Sequence, residues 1–446
     1  MMKNNFIFTP DNNYNYPIYT SACVGNNGNP GILYYAEGFA SAANHLIDIS
    51  ISNFGREFAP DIAVYPICFN MRHAVELYLK GYINFVDKLA KIKEIKIDSA
   101  INIMTVHDIN QIWNYLTTNY STLDKRLIDI ANQISPYIKC FGEIDATGQT
   151  FRYPYDTENN KHLTQQSIIN IMHLGNNFKE LKKKLENFYY YQNDIIEEYQ
   201  KKSFTKNLSR YDLSIIAQRL PNINEWRNDS FKEIKDNIKK EYDISSNELS
   251  KAINIIKNHY EFGYFIGTVP PLMDFNEDEF YLFIDKWCQL NDLSYIYDKS
   301  KSPIIESLLI GSNMDEDDKK NLSMSFKKGD EKFVNRCNIS KDLINRIKLE
   351  TIANVHALYY FSRECRYSEE YQLITYYYHE QYCRKNIEEA IDHMLNKTIL
   401  LTEVVISLLL LNQIKIARVL IDKYHLKDYI KEQLVDKKID VSIILN

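Results

Sequence analysis

The chain has 446 residues, 45% hydrophobic and 25% charged, with a formal net charge of −6 at pH 7. That length suits two or three domains. The negative balance excludes a global attraction for nucleic acid, so an RNA or DNA contact would need a local basic strip. The seven cysteines are scattered, odd in number and free of any C-x-x-C pair, which points away from a disulfide framework or zinc site and toward reduced thiols in a cytosol.

Eleven Pro and 13 Gly are few for this length and favour long helices. Residues 1–33 are rich in Asn, Gly, Pro and Tyr and read as an irregular arm, unlike a signal peptide. A helical pattern through 34–53 carries Tyr35, Phe39, Ala42, Ala43, Leu46 and Ile47. The next helix is expected to enter through Pro66 and run to about Lys93. An amphipathic helix follows His107-Asp108, with Ile109, Ile112, Trp113 and Leu116 at helical spacing. Another is expected over 123–141, broken near Pro136, and then a loop over 143–160. A long helix is expected from Leu163 to about Lys202.

The polar stretch 203–245 reads as a linker, and Ser246 as the start of the next helix. Residues 280–290 form a further helix, 313–332 an exposed charged connector, and 342–434 a train of helices. Residues 439–445 suit a single strand. The longest greasy run, 398–411, is too short to span a bilayer. Neither a β-α-β alternation nor a Gly-rich phosphate loop is present. The expected fold is all-α: a helical bundle over 34–202, a linker, and a second helical domain over 246–446.

The helix after Pro66 holds the chemistry. At about 100° per residue, Arg72, His73, Glu76 and Lys80 share one strip, while Val75, Leu77, Tyr78, Leu79, Tyr82, Phe85 and Val86 fill most of the remaining circumference. A helix this apolar is packed on several sides, so the four polar groups must pair with one another, with water or with a ligand. In a catalytic reading His73 is a base, Glu76 orients it, and Arg72 and Lys80 receive phosphate. In a structural reading Arg72–Glu76 and Glu76–Lys80 are i, i+4 ion pairs. His107 and Asp108 either cap their helix or join the chemistry. Arg152 either binds phosphate or pins its loop to Glu76, and Tyr153 either packs or stacks on a base. No H-x-x-x-H or H-x-x-E-H spacing occurs, so no metal or cofactor is expected.

Three of these pieces, in order, resemble the HEPN superfamily of small bacterial all-α bundles: Arg72-His73-Ala74-Val75-Glu76-Leu77-Tyr78-Leu79-Lys80, His107-Asp108-Ile109 with Trp113, and Phe151-Arg152-Tyr153-Pro154 before a long helix. The resemblance covers about residues 34–190. It implies a bundle of four or five helices that often dimerises, and a role in bacterial defence or toxin-type systems, with a partner protein of the same operon. Many members are metal-independent ribonucleases that use an Arg and a His closely spaced on one helix. This chain lacks that spacing within the matching region; its one formal match is Arg418 with His425, far outside. Segments 357–363 and 367–369 are only vaguely similar to helical tails attached to such domains. Two functions stay open: a cytoplasmic HEPN-like protein that binds RNA or nucleotide and cleaves RNA, or a non-catalytic helical scaffold for protein interaction.

Overall fold

The computed structural model describes residues 7–8, 15–28, 31–52, 56–97, 103–291, 293, 297, 316–384 and 386–437, with side chains from 329 onward in the segment that starts at 316. Seventeen α-helices and no strands occur among them, so the protein is all-α. The chain divides into two compact units, Met1–Gln200 and Lys201–Asn446. The strand expected over 439–445 lies outside the described residues.

The first unit contains α1 (Ile32–Ile51), α2 (Pro60–Lys93), α3 (Ile109–Leu123), α4 (Arg126–Asp145) and α5 (Ile171–Gln200). The long α2 is the central rod, with α1, α3 and α5 packed on it. It starts six residues earlier than expected: Pro60 takes the first turn, where its missing N–H costs nothing. Pro66 therefore lies inside the helix and cannot donate to the Ile62 carbonyl. Pro136 is likewise carried within an unbroken α4. Packing on α2 and its partners outweighs both local defects, since each fully buried Leu, Ile or Val contributes about 1.5–3 kcal/mol. Met71, Val75, Leu79, Tyr82 and Val86 are fully buried, as are Leu181, Leu185 and Phe188 of α5. Tyr82 and Tyr120 meet Phe188 edge-on at 5.3 and 5.5 Å. Helix α5 begins at Ile171, not Leu163. Leu163 adopts a left-handed φ of 56°, and the Asn170 side chain accepts from the His173 amide at 2.9 Å, which makes Asn170 the cap.

In the second unit the supposed linker is folded. Residues 203–245 contain α6 (Arg210–Arg219) and α7 (Asp229–Tyr242), followed by α8 (Ser246–Lys257) and α9 (Tyr260–Ile266). A capping box of Ser209 and Asp212 opens α6, and Ser245 rather than Ser246 caps α8. Leu213, Ile216, Ile238, Leu249, Ile256, Phe262 and Ile266 close one apolar core. A short helix needs only two or three apolar residues on its inner face, so these two look polar in sequence.

The rest of the unit is α10 (Glu277–Leu290), α11 (Glu316–Ile344), α12 (Leu349–Glu364), α13 (Glu370–Cys383), α14 (Ile387–Leu395), α15 (Leu400–Leu410), α16 (Ile414–Lys423) and α17 (Lys427–Asp436). Helix α11 runs through most of the stretch expected to be a connector. Helix α12 packs on α13 and α15. Every residue from Leu400 to Leu409 is buried, so the greasy run is the core helix of this unit. No single helix among the described residues is long and apolar enough to cross a membrane.

Candidate functional site

Glu76, one face of α2, is the hub of the ionic strip. Its Oε1 accepts from Lys80 Nζ at 2.7 Å and meets His107 Nδ1 at 2.9 Å, while Oε2 pairs with Arg72. The side chains of Arg72, Glu76 and Lys80 are 3%, 4% and 10% exposed. Burial works to raise the Glu76 pKa, but the Lys80 hydrogen bond, the Arg72 charge and the His107 and Arg72 bonds outweigh it and hold the carboxyl below its ordinary value.

Arg72 is spent on structure. Its Nε donates to the Asp145 carbonyl at 3.2 Å, and Nη2 donates to the Ala146 carbonyl at 2.6 Å and to the His107 carbonyl. The Asp145 and Ala146 carbonyls end α4 and have no helical donors, so a cation there satisfies them and complements the helix dipole. The His107 carbonyl precedes Asp108, whose side chain accepts from the Asn110 and Gln111 amides and caps α3. One guanidinium thus ties α2 to the end of α4 and the start of α3. Gly148 closes over it with a φ of +79°, and a Cβ there would sit 3.1 Å from Arg72 Nη1. Gly148→Ala should cost about 1–3 kcal/mol by chemical denaturation, through backbone strain plus displacement of Arg72.

His73 stands apart from this ribbon. It packs edge-on to Phe39 at 4.4 Å and parallel to Phe69 at 5.8 Å. Burial, opposed by Glu76 and reinforced by Arg72, Lys80 and Arg152, lowers its pKa, so the imidazole is neutral near pH 7. Arg152 does not pin its loop to Glu76; Arg72, paired with Glu76, performs that task through the Asp145 and Ala146 carbonyls. The Arg152 guanidinium instead lies 5.8 Å from the Phe69 ring centre and 5.2 Å from that of Tyr153, and Nη2 donates to the Tyr153 hydroxyl at 3.2 Å. His73 and Arg152 therefore share the Phe69 ring, although they are far apart in sequence.

Beside them opens a cleft of about 730 Å³, lined in part by Tyr65, Phe151, Arg152, Tyr153, Lys161 and His162. Tyr65 and Tyr153 are 47% and 49% exposed. Lys161 and His162 were not singled out from sequence. An isolated bridge between Tyr155 and Lys161, with the His162 amide donating to the Pro154 carbonyl at 3.1 Å, folds the loop back and brings them to Arg152. The one local signal was Asp156, whose side chain accepts from the Glu158 and Asn160 amides in a tight turn.

The remaining sequence candidates separate. Helix α16 ends at Lys423, and His425 follows in a left-handed conformation, φ 54°. Arg418 and His425 thus share no helix face, and both are exposed. In the second unit, His259, Glu261 and Glu369 stand close enough to hold a metal ion. Arg210 already pairs with Glu369 at 2.8 Å and with Glu261, so a guanidinium fills the place a divalent ion would need. This donor set does not suit a metal.

The fold and site define an all-α protein with a buried ionic anchor beside a cationic, aromatic cleft. No family model, curated protein or solved structure matches this chain.

Proposed function

We propose that the N-terminal unit is a HEPN-like binding module whose cleft takes a nucleotide or a single-stranded RNA segment, as a component of a bacterial defence or toxin-type system. The observation that carries this reading is the placement of Arg152, Lys161 and His162 beside the exposed rings of Tyr65 and Tyr153. Arg152 and Lys161 meet the phosphates, and the phenol rings offer faces on which bases stack at about 1–3 kcal/mol each. The volume of about 730 Å³ suits one or two nucleotides. In this reading Arg72, Glu76, Lys80 and His107 position the loop and do not touch the ligand.

Ribonuclease chemistry is the second reading, supported by His73 and Arg152 on the two contacts of Phe69. A neutral His73 would take the proton of a ribose 2′-hydroxyl while Arg152 holds the scissile phosphate. A homodimer or an operon partner belongs to the same proposal, and size-exclusion chromatography with light scattering tests it.

The test is fluorescence anisotropy with a labelled single-stranded RNA, and with a nucleotide, at fixed salt. Arg152→Ala and Lys161→Ala should each weaken binding by about tenfold, near 1.4 kcal/mol, and flatten its salt dependence. Unchanged affinity in both variants removes the cleft from the proposal. RNA incubated in EDTA with wild type, His73→Ala and His425→Ala separates the readings. Cleavage lost in His73→Ala alone supports the enzyme; binding without cleavage leaves the module.

A further inference from the structure

We propose that the cleft of the N-terminal unit selects guanine, and that Asp61 is the group that reads it. The inference rests on the nucleotide-binding reading of that cleft and adds the identity of the base. Asp61 lies in the first turn of α2 and lines the cleft. Among the described residues it is the only acid in the lining, where Arg152 and Lys161 are the cations. A carboxylate in a phosphate cleft weakens phosphate binding unless it meets donors on another part of the ligand. An acid in a first turn also complements the helix dipole. That role is served anywhere around the helix end and does not require a place in the cleft wall.

Helix α2 sets the order of the contacts. Asp61, Tyr65 and Phe69 follow one another at i, i+4 and i+8, one row of side chains along the helix. The row covers about 12 Å at 1.5 Å per residue, close to the length of a nucleoside monophosphate. Its far end carries the phosphate-binding group, since the Arg152 guanidinium lies 5.8 Å from the Phe69 ring centre. Arg152 has no carboxylate partner among the described residues; its contacts are the Phe69 and Tyr153 rings and the Tyr153 hydroxyl. The half-exposed Tyr65 ring stands between the two ends. A base stacked on Tyr65, with its phosphate on Arg152, turns its outer edge toward Asp61.

The chemistry of that edge selects the base. A carboxylate only accepts hydrogen bonds, and its two oxygens accept two side by side. Guanine offers two adjacent donors on its Watson–Crick edge, N1–H and the N2 amino group. Adenine sets N1 beside its amino group, cytosine sets N3 beside its own, and uracil flanks N3–H with two carbonyls. Each of these turns a lone pair toward the second carboxylate oxygen. The Asp61 side chain is exposed and makes no hydrogen bond or ion pair among the described residues, so both oxygens are open to a ligand.

The experiment titrates the full chain calorimetrically with the 5′-monophosphates of guanosine, inosine, adenosine and xanthosine at fixed salt. Guanosine monophosphate should bind at least about tenfold more tightly than adenosine monophosphate, with inosine monophosphate, which lacks the N2 amino group, between them. Asp61→Asn should weaken guanosine monophosphate by about tenfold and strengthen xanthosine monophosphate by about as much, because the 2-oxygen of xanthine accepts from the new amide. It should leave adenosine monophosphate unchanged. Arg152→Ala should weaken all four alike, since it holds the phosphate. A hexauridylate with one central guanosine, set against plain hexauridylate, distinguishes a guanosine within RNA from the free nucleotide; a preference in either arm that Asp61→Asn abolishes supports the assignment. Equal affinity for guanosine and adenosine monophosphates together with equal affinity for the two oligonucleotides, or a preference that survives Asp61→Asn, overturns the guanine reading and leaves the cleft in place. Binding of no probe at millimolar concentration overturns both.

Discussion

Glu76→Ala should lower the stability of the N-terminal unit by about 3–5 kcal/mol, read as a fall in the urea midpoint at unchanged slope. The substitution leaves Arg72 and Lys80 as buried charges without a counter-charge, at side-chain exposures of 3% and 10%. It also frees His107 from its only ionic contact among the described residues. A domain is stable by about 5–15 kcal/mol in all, so this loss is a large part of the whole. Glu76→Gln should cost less, because an amide oxygen still accepts from Lys80 or Arg72, though the two cations remain unbalanced. Arg72→Met should act differently: Glu76 keeps Lys80, but the carbonyls of His107 and Asp145 lose the Arg72 donor, and that of Ala146 keeps only the Ile109 amide at 3.1 Å. The exposed pair Lys139–Glu143 is the control, and Glu143→Ala should change stability little. If Glu76→Ala proves as mild as Glu143→Ala, the ribbon is not the anchor described above. Binding at the neighbouring cleft should follow the folded fraction, since no ribbon residue is assigned to the ligand.

Acid should destabilise the C-terminal unit by about 3–5 kcal/mol between pH 6.5 and pH 3, with His356 the principal cause. His356 is buried in an aromatic cluster, 3.9 Å from the Tyr378 ring and 5.2 Å from that of Tyr360, with its Nδ1 on the Tyr382 hydroxyl. His393 and Lys397 are the titratable groups nearby, and burial first, then these two, lowers its pKa to about 3. The sign follows directly. With the folded pKa below the unfolded one, the unfolded chain takes up the proton first as pH falls through 6.5. The neutral imidazole thus costs nothing above pH 6.5, and stability declines steadily below it until the folded pKa is reached. Glu369 adds to the loss in a lower window. Burial opposes its ionisation, but bonds from His259 and Arg210 prevail and hold it well below the usual carboxylate range, so its contribution is present above 4.5 and disappears beneath. His356→Phe removes the first proton acceptor. Its stability should fall much less between pH 6.5 and 4.5, the remaining decline coming from His393, whose pKa burial and Lys397 also lower, measured by denaturant titration at each pH. A wild-type slope retained in that variant would falsify the assignment to His356.

Some of this was legible in the chain itself. The run Val75–Val86 has apolar residues nearly all round, and a helix of that composition can only be a central rod. The i, i+4 spacing of Arg72, Glu76 and Lys80 requires a shared face, and a charge on a buried face needs a partner; the observed pairs follow from those two facts alone. Asp108 before Ile109 is a capping residue wherever that helix lies. The all-α class follows from the same periodicity.

Other features depended on contacts distant in sequence. Pro66 and Pro136 look like helix ends because a local rule weighs only the missing N–H; packing against neighbouring helices decided otherwise. The helices of 203–245 were hidden because each buries only a few side chains, and only their joint core reveals them.

By itself, the sequence determined the periodicity, the rod and the charges that had to be neutralised on it, because these depend on spacing along one helix. Tertiary structure alone decided which group pins the loop, Arg72 and not Arg152, and which groups share a cleft. It sent His73 to the phenyl rings, brought Lys161 and His162 beside Arg152, and broke the pairing of Arg418 with His425. The physical reason is that an ion pair or a ring contact acts over a few ångströms of space, and only the folded backbone converts separation along the chain into that distance.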